Sequence, residues 1–178
     1  MANALTSAAP RQVVPRADPV FISPDPNLAD FETFVTDVMM VPPASMPSAW
    51  ALQWSFDNAL NLTLDDLQTI PSQPTSPTVY CWAVYNLGGA LLADYAQDDP
   101  LAKPPQTYWT DLRKNLGLNS FTPGVIQSAS DQGTSQSMML PEFLNGLSMM
   151  DLQLMKTPWG RTYMMIAQAW GSVWGLSR

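Results

Sequence analysis

The segment from Thr78 to Gln97 constrains the fold most. Large apolar side chains recur in it at intervals of four, three, four and four residues, which is the spacing of an amphipathic α-helix: Tyr80, Val84, Leu87, Leu91 and Tyr95. Each glycine inside a helix costs about 1 kcal/mol relative to alanine. Close approach of a neighbouring helix would offset that cost at Gly88 and Gly89, so we predict that this is the central helix. Cys81 is then a small core residue rather than a reactive thiol, because no base or cation lies near it in sequence.

Prolines divide most of the remaining chain into shorter segments with helical apolar spacing. A first helix is predicted from about Asn27 to the Pro42-Pro43 pair, and a second from Pro47 to about Leu62, with Ser45 as its N-cap. The second helix has a further apolar stripe at Trp50 and Trp54, which predicts more than one packing partner. Further helical segments are predicted over Leu64–Ile70 after an N-cap at Thr63, over Gln106–Leu116 with Gly117 as C-cap, in part of Leu140–Leu154, and over Pro158–Trp170.

The two ends and one internal segment lack this pattern. Residues 1–27 contain five prolines and no periodic apolar side chains, which favours an extended arm. Residues 124–139 are polar and rich in Ser and Thr around a turn signal at Asp131-Gln132-Gly133, which predicts a projecting β-hairpin. Glycines favour a C-terminal tail over 171–178. We therefore predict a mainly α fold: a small helical bundle over 28–170 with one projecting β-hairpin and extended N- and C-terminal arms.

Charge is scarce in this chain and unevenly placed. Charged residues make up 13% of the 178 residues, against about 25% in typical soluble proteins. Between Ala17 and Ala102 there are 11 acidic residues and no Lys or Arg, and the formal net charge is −7. Such a surface cannot bind phosphate backbones by counterion release. Either it is simply acidic and solvated, or it repels DNA or meets a basic partner.

The residue types also limit the chemistry. Histidine is absent, which excludes His-based acid–base catalysis, Ser-His-Asp triads and most zinc sites. The single Cys81 excludes an intrachain disulfide. The acidic pairs Asp65-Asp66 and Asp98-Asp99 fit helix ends better than a metal site, because adjacent helical residues do not share a face. The 7 Trp and 11 Met residues suit core and interface packing. We expect no enzymatic activity, no catalytic or metal-binding residue and no cofactor. No signal peptide or membrane span is predicted.

Three stretches of the C-terminal third resemble the head–tail adaptor proteins of tailed bacteriophages, also called head-completion or neck proteins. The stretches are Gly124-Val125 with Ser128-Ala129-Ser130, then Thr134-Ser135-Gln136-Ser137, and Lys156-Thr157-Pro158-Trp159-Gly160-Arg161-Thr162-Tyr163. Members of that family often have a Gly-Val-Ser-Ser start, an alternating Ser-rich strand and a Thr-x-Tyr-Gly-x-x-Tyr stretch. This chain departs from the pattern at Trp159, where the family usually has Tyr, although the position stays aromatic.

The resemblance implies a structural virion protein that is synthesised in the host cytoplasm and assembled at one capsid vertex. Such adaptors form a ring, a dodecamer in many members, beneath the portal protein. The ring extends the DNA channel, through which DNA passes without specific binding, and it connects the portal to the next neck or tail protein. No membrane is involved.

Two segments are expected to bind partner proteins. The hairpin has too little apolar area to be held on its own domain, so another subunit is expected to order it through Ser128, Ser130, Asp131, Gly133 and Ser135. The apolar stripe of the last helix continues close to the chain end, where little of its own core remains to cover it. We expect Trp170, Trp174 and Arg178 to dock on a neighbouring virion protein, with the portal as the expected partner. A structural motif is expected to pack on the bundle itself: Thr157, Trp159, Gly160 and Tyr163.

Three other functional interpretations remain. Another virion structural protein, such as a tail terminator or minor capsid protein, would share the composition but would form a ring of different symmetry or attach to the tail tube. A carboxylate-dependent enzyme would lose its function on substitution of one Asp while particles still assemble. A helical binding module would be a monodisperse monomer with a defined apolar pocket.

Overall fold

A computed structural model of the chain describes residues 23–70, 78–103, 105–119, 125–128, 137–139 and 148–170. Within these ranges six α-helices follow one another: α1 (Leu28–Asp37), α2 (Ala49–Leu62), α3 (Val79–Tyr95), α4 (Tyr108–Leu116), α5 (Met149–Leu154) and α6 (Pro158–Trp170). Short 3₁₀ turns occupy Pro43–Ser45 and Asp65–Thr69. The prediction of a mainly α fold is therefore confirmed. None of the helices in the described part of the chain is both long enough and apolar enough to cross a bilayer.

Two short strands lie between α4 and α5, namely β1 (Val125–Ser128) and β2 (Ser137–Met139). They pair antiparallel, with Ser128 opposite Ser137. The predicted turn at 131–133 lies outside the described residues, as do residues 1–22 and 171–178. The projection of a hairpin from the bundle and the two extended arms therefore stay predictions.

Helix α3 is the centre of the bundle, as the glycine pair predicts. Of its 17 residues, 12 are buried, and α1, α2, α4 and α6 all pack on it. A Cβ atom at Gly88 would lie 2.9 Å from the ring of Phe31 in α1, and one at Gly89 would lie 3.1 Å from the sulfur of Met39. The ring of Phe31 therefore occupies the space beside Gly88, and Met39 with the ring of Phe34 occupies the space beside Gly89. Cys81 is a buried free thiol, in agreement with the sequence prediction.

The segment 23–27, which the sequence assigns to the N-terminal arm, lies against the bundle. Asn27 caps α1 by accepting a hydrogen bond from the backbone N–H of Asp30 at 2.9 Å. The carbonyl of Pro24 accepts hydrogen bonds from the Thr78 hydroxyl at 3.2 Å and from the Cys81 thiol at 3.0 Å. The chain is therefore attached to the N-terminal end of α3 from residue 23 onward.

The start of α2 differs from its prediction. Ser48 is the N-cap and accepts a hydrogen bond from the backbone N–H of Ala51 at 3.2 Å. Ser45, the predicted cap, is the last residue of the 3₁₀ turn, and its carbonyl accepts from the indole of Trp109 at 2.9 Å. Thr63 was also predicted as an N-cap, but the 3₁₀ turn after it has no side-chain cap. The Thr63 hydroxyl donates back to the carbonyl of Ala59 instead.

Helix α4 is capped by a residue that lies ten positions before it. Its own N-cap residue, Thr107, makes no side-chain cap. Asp98 accepts hydrogen bonds from the backbone N–H groups of Trp109 and Thr110, each at 2.8 Å, and from the Thr110 hydroxyl at 2.7 Å. Desolvation raises the pKa of Asp98, but these bonds and the charge of Arg113 outweigh it, so the net pKa is lowered. The predicted C-cap Gly117 is confirmed, with φ of 64°.

Candidate interaction surfaces

The predicted structural motif forms the corner between α5 and α6. Thr157 is fully buried, and its hydroxyl accepts a hydrogen bond from the backbone N–H of Gly160 at 2.9 Å. A Cβ atom at Gly160 would lie 2.7 Å from that hydroxyl oxygen and still closer to the carbonyl oxygen of Leu154. Glycine is required at this position because the last turn of α5 passes directly against the first turn of α6.

The two aromatic residues of the motif pack on their own core, as predicted. Tyr163 is fully buried, and burial together with the charge of Asp151 raises the pKa of its hydroxyl to about 12. Trp159 is partly buried against the core, where a Cβ atom at Gly89 would lie 3.6 Å from its Cγ. The motif therefore determines the path of the chain between α5, α6 and the centre of α3.

The structure describes only part of the predicted partner-binding set. Trp170 is the last residue of α6 and is 58% exposed. Met165 is 68% exposed on the same helix, but it lies five residues earlier and therefore about 140° away around the helix axis. We call the exposed side chain of Trp170 the α6 surface. The backbone of Ser128 is described in β1. The remaining predicted residues lie outside the described ranges: Ser130, Asp131, Gly133, Ser135, Trp174 and Arg178.

A second exposed surface joins the start of α2 to the end of α3. Trp50 is 73% exposed and stacks on Trp54, with ring centroids 6.3 Å apart. Trp54 in turn meets Tyr95 edge to face at 5.1 Å. The sequence places Tyr95 on the buried stripe of α3, but it is 60% exposed because the chain leaves the helix there. The second apolar stripe of α2 was therefore the only sequence signal for this surface.

Trp50 and Tyr95 line a groove of about 410 Å³, which we call the aromatic groove. Its other lining residues are Met46, Ser48, Ala51, Gln97, Asp98, Asp99 and Gln106. Two of them are acidic and none is a Lys or Arg. The nearby cation Arg113 donates to the carbonyls of Ala93 and Ala96 at 3.2 and 2.6 Å, so its guanidinium is held at the end of α3.

Gln106 separates the aromatic groove from an adjoining cavity of about 580 Å³. The Gln106 side chain accepts a hydrogen bond from the backbone N–H of Asp99 at 3.2 Å and donates to the carbonyl of Ala44. The lining of the second cavity includes both Lys103 and Asp111, so it has no single sign of charge. In the aromatic groove, by contrast, the aromatic and acidic side chains together favour a cationic or proline-rich ligand.

The aromatic groove and the α6 surface lie towards opposite ends of α3. Gln153 in α5 donates to Asp94 near the C-terminal end of α3 at 3.3 Å, and Trp159 lies beside Gly89. The chain therefore runs from the C-terminal end of α3 towards its N-terminal end. Trp170 follows Trp159 by eleven residues, which is about 16 Å along a helix.

The carboxylates of the described residues do not form a metal centre. No group of three His, Cys, Asp or Glu side chains in this part of the chain is placed to hold a metal ion. Asp65 and Asp66 are the first two residues of the 3₁₀ helix Asp65–Thr69, in agreement with their predicted place at a helix start. Burial raises the pKa of Asp94, an effect that its hydrogen bond from Gln153 partly offsets.

Comparison with protein-family models finds no match to this chain. Comparisons with curated proteins and with solved structures likewise find no match. The likeness to phage adaptors therefore depends on the sequence motifs alone.

Proposed function

We propose that the protein is a structural virion protein, a head–tail adaptor that forms a ring beneath the portal of a tailed bacteriophage. The observation that carries this proposal is the pair of exposed apolar surfaces towards opposite ends of α3. An adaptor must bind one protein on the capsid side and another on the tail side, in addition to its own neighbours. A bundle with a separate apolar surface towards each end suits that task.

The exposed side chains are of the types that dominate protein interfaces. Trp and Tyr are enriched among the residues that contribute most to binding. Three of the exposed side chains here are of these types, namely Trp50, Tyr95 and Trp170. Burial of one such aromatic side chain contributes about 2–3 kcal/mol. Covering both surfaces would therefore supply a large share of the free energy of assembly.

The charge distribution is compatible with passage of DNA through a ring. Exposed acidic residues such as Asp57, Asp65, Asp66 and Asp99 belong to the part of the chain that contains no Lys or Arg. A channel lined by carboxylates repels phosphate groups, so DNA would move through it without adhering.

The proposal is tested by removing the gene from the phage that carries it and examining the particles. We expect heads and tails to accumulate separately, with normal tail lengths, and complementation with the wild-type gene to restore complete particles. The protein should be detected in purified virions by mass spectrometry and should form rings in negative-stain images. Normal particles without the protein would refute the proposal. Tails of uncontrolled length would instead indicate a tail terminator.

The C-terminal docking hypothesis is tested in the same complementation system. Deletion of residues 171–178 should leave a folded, soluble protein that no longer joins the particle, and Trp170→Ala should weaken incorporation. The exposed neighbour Gln168 provides a matched control, because Gln168→Ala changes the same helix without removing an aromatic side chain. Incorporation of the truncated protein at the wild-type level would show that the tail is not a docking element.

A further inference from the structure

We propose that the aromatic groove binds the N-terminal segment of its own chain, with Pro10-Arg11 lying against Trp50 and Tyr95. Residues 1–22 precede the described part of the chain and contain the dipeptides Pro10-Arg11 and Pro15-Arg16. Prolines favour the extended polyproline II conformation. Proline-rich segments in that conformation dock into grooves lined by aromatic side chains, which supply flat apolar faces to the proline rings.

The charges of the segment and of the groove are complementary. Residues 1–16 contain Arg11 and Arg16 and no acidic residue. The lining of the groove has two carboxylates next to exposed aromatic rings and no Lys or Arg. Asp98 already caps α4 with both of its oxygens, so the exposed Asp99 is the carboxylate that a guanidinium would pair with. A guanidinium can stack on an indole ring and pair with a carboxylate at the same time. An arginine beside a proline therefore satisfies both features of the groove.

The length of the segment selects Arg11 over Arg16. Ser23, the first described residue, adjoins Pro24, whose carbonyl accepts a hydrogen bond from Thr78 at the N-terminal end of α3, whereas the groove lies at Tyr95. The 17 residues of α3 separate these ends by about 26 Å. An extended chain advances about 3.1 Å per residue, so Arg16 reaches about 22 Å from Ser23 and Arg11 about 37 Å. The backbone at Arg16 therefore ends about 4 Å short of the groove, so Arg16 could meet it only with both chain and side chain fully stretched, whereas Arg11 reaches it with length to spare.

The tether also favours the chain's own segment over that of a second molecule. A short flexible link gives an effective concentration in the millimolar range, far above that of free protein in solution. Docking would cover Trp50 and Tyr95 in the isolated chain, where exposed aromatic side chains promote aggregation. The inference does not depend on the adaptor proposal, because it concerns the isolated chain.

The test is disulfide trapping in the full-length protein. A cysteine is introduced in the segment by Gln12→Cys and a second one in the groove by Gln97→Cys, where the native side chain is exposed. The control pair combines Gln12→Cys with Gln168→Cys on α6, the same exchange at an exposed position away from the groove. Cys81 is buried and remains in all variants. After mild oxidation, we expect the groove pair to form an intramolecular disulfide at least about tenfold faster than the control pair.

Charge reversal in the segment separates docking from simple proximity. In the groove pair, Arg11→Glu should slow disulfide formation about tenfold, whereas Arg16→Glu should change it much less. Trp50→Ala should slow it similarly, without loss of stability, because that ring is 73% exposed. Equal rates for the groove and control pairs would overturn the proposal. A covalent dimer in place of the intramolecular disulfide would also overturn it, because the occupant would then come from a second molecule.

Discussion

Replacement of Gly160 by alanine tests the corner between α5 and α6 with a single added methyl group. The new Cβ would lie 2.7 Å from the Thr157 hydroxyl oxygen and closer still to the carbonyl oxygen of Leu154. A backbone carbonyl cannot move away without displacing the end of α5. The same change at Gly89 provides a graded control, since the nearest atoms there are the Met39 sulfur and a ring carbon of Phe34, both at 3.1 Å.

The expected magnitude follows from two opposing contributions. Overpacking of a core costs about 1–3 kcal/mol, and the cost should lie at the upper end where the contact is with backbone. Alanine recovers about 1 kcal/mol of helix propensity at either glycine. We therefore expect Gly160→Ala to lower the free energy of unfolding by about 2 kcal/mol and Gly89→Ala to change it by less than about 1 kcal/mol, because the Met39 side chain can adapt.

Thermal unfolding followed by circular dichroism measures this difference. In a protein of this size 1 kcal/mol shifts the melting temperature by about 2–4 °C, so Gly160→Ala should melt about 4–8 °C below the wild type. Gly89→Ala should stay within about 3 °C of it. If Gly160→Ala were as stable as Gly89→Ala, the close packing of α5 against α6 would be wrong.

Three further predictions concern charge. Asp98→Ala should lower the free energy of unfolding by about 1–2 kcal/mol because it uncaps α4, and Asp99→Ala is the milder control. Because the pKa of Asp98 is lowered in the folded state, its contribution to stability is present at neutral pH and is lost as the pH falls below about 4. Because the pKa of Tyr163 is raised to about 12 in the folded state, the contribution of its neutral side chain to stability is fully present below pH of about 10 and is lost as the pH rises through about 12. Urea unfolding of Tyr163→Phe should therefore show a smaller loss of stability over that pH range. A mobility-shift assay at about 150 mM salt should show no binding of double-stranded DNA at micromolar protein concentrations. A dissociation constant in the micromolar range or below would contradict the acidic channel.

The helices were largely predictable because local signals mark them. Helix α6 occupies Pro158–Trp170, as its apolar spacing predicted, and α3 lies within one or two residues of its expected bounds. The candidate surfaces were predictable only in part. Trp170 is exposed as expected, whereas Tyr95 was assigned to the buried stripe and instead lies at the aromatic groove.

The sequence by itself determined the helical class and the central position of α3. These properties follow from side-chain spacing, from prolines and from the missing side chains of Gly88 and Gly89, which are signals that a short stretch of sequence carries. The tertiary structure showed why residue 160 must be glycine, because a Cβ there would meet the carbonyl oxygen of Leu154. The tertiary structure alone decided that Asp98 caps α4 and that Ser45 gives its carbonyl to Trp109. It also decided that Trp50 stays exposed beside Tyr95. Those outcomes depend on which helix ends meet in space, and a pattern along one helix cannot show which of its faces a distant segment will cover.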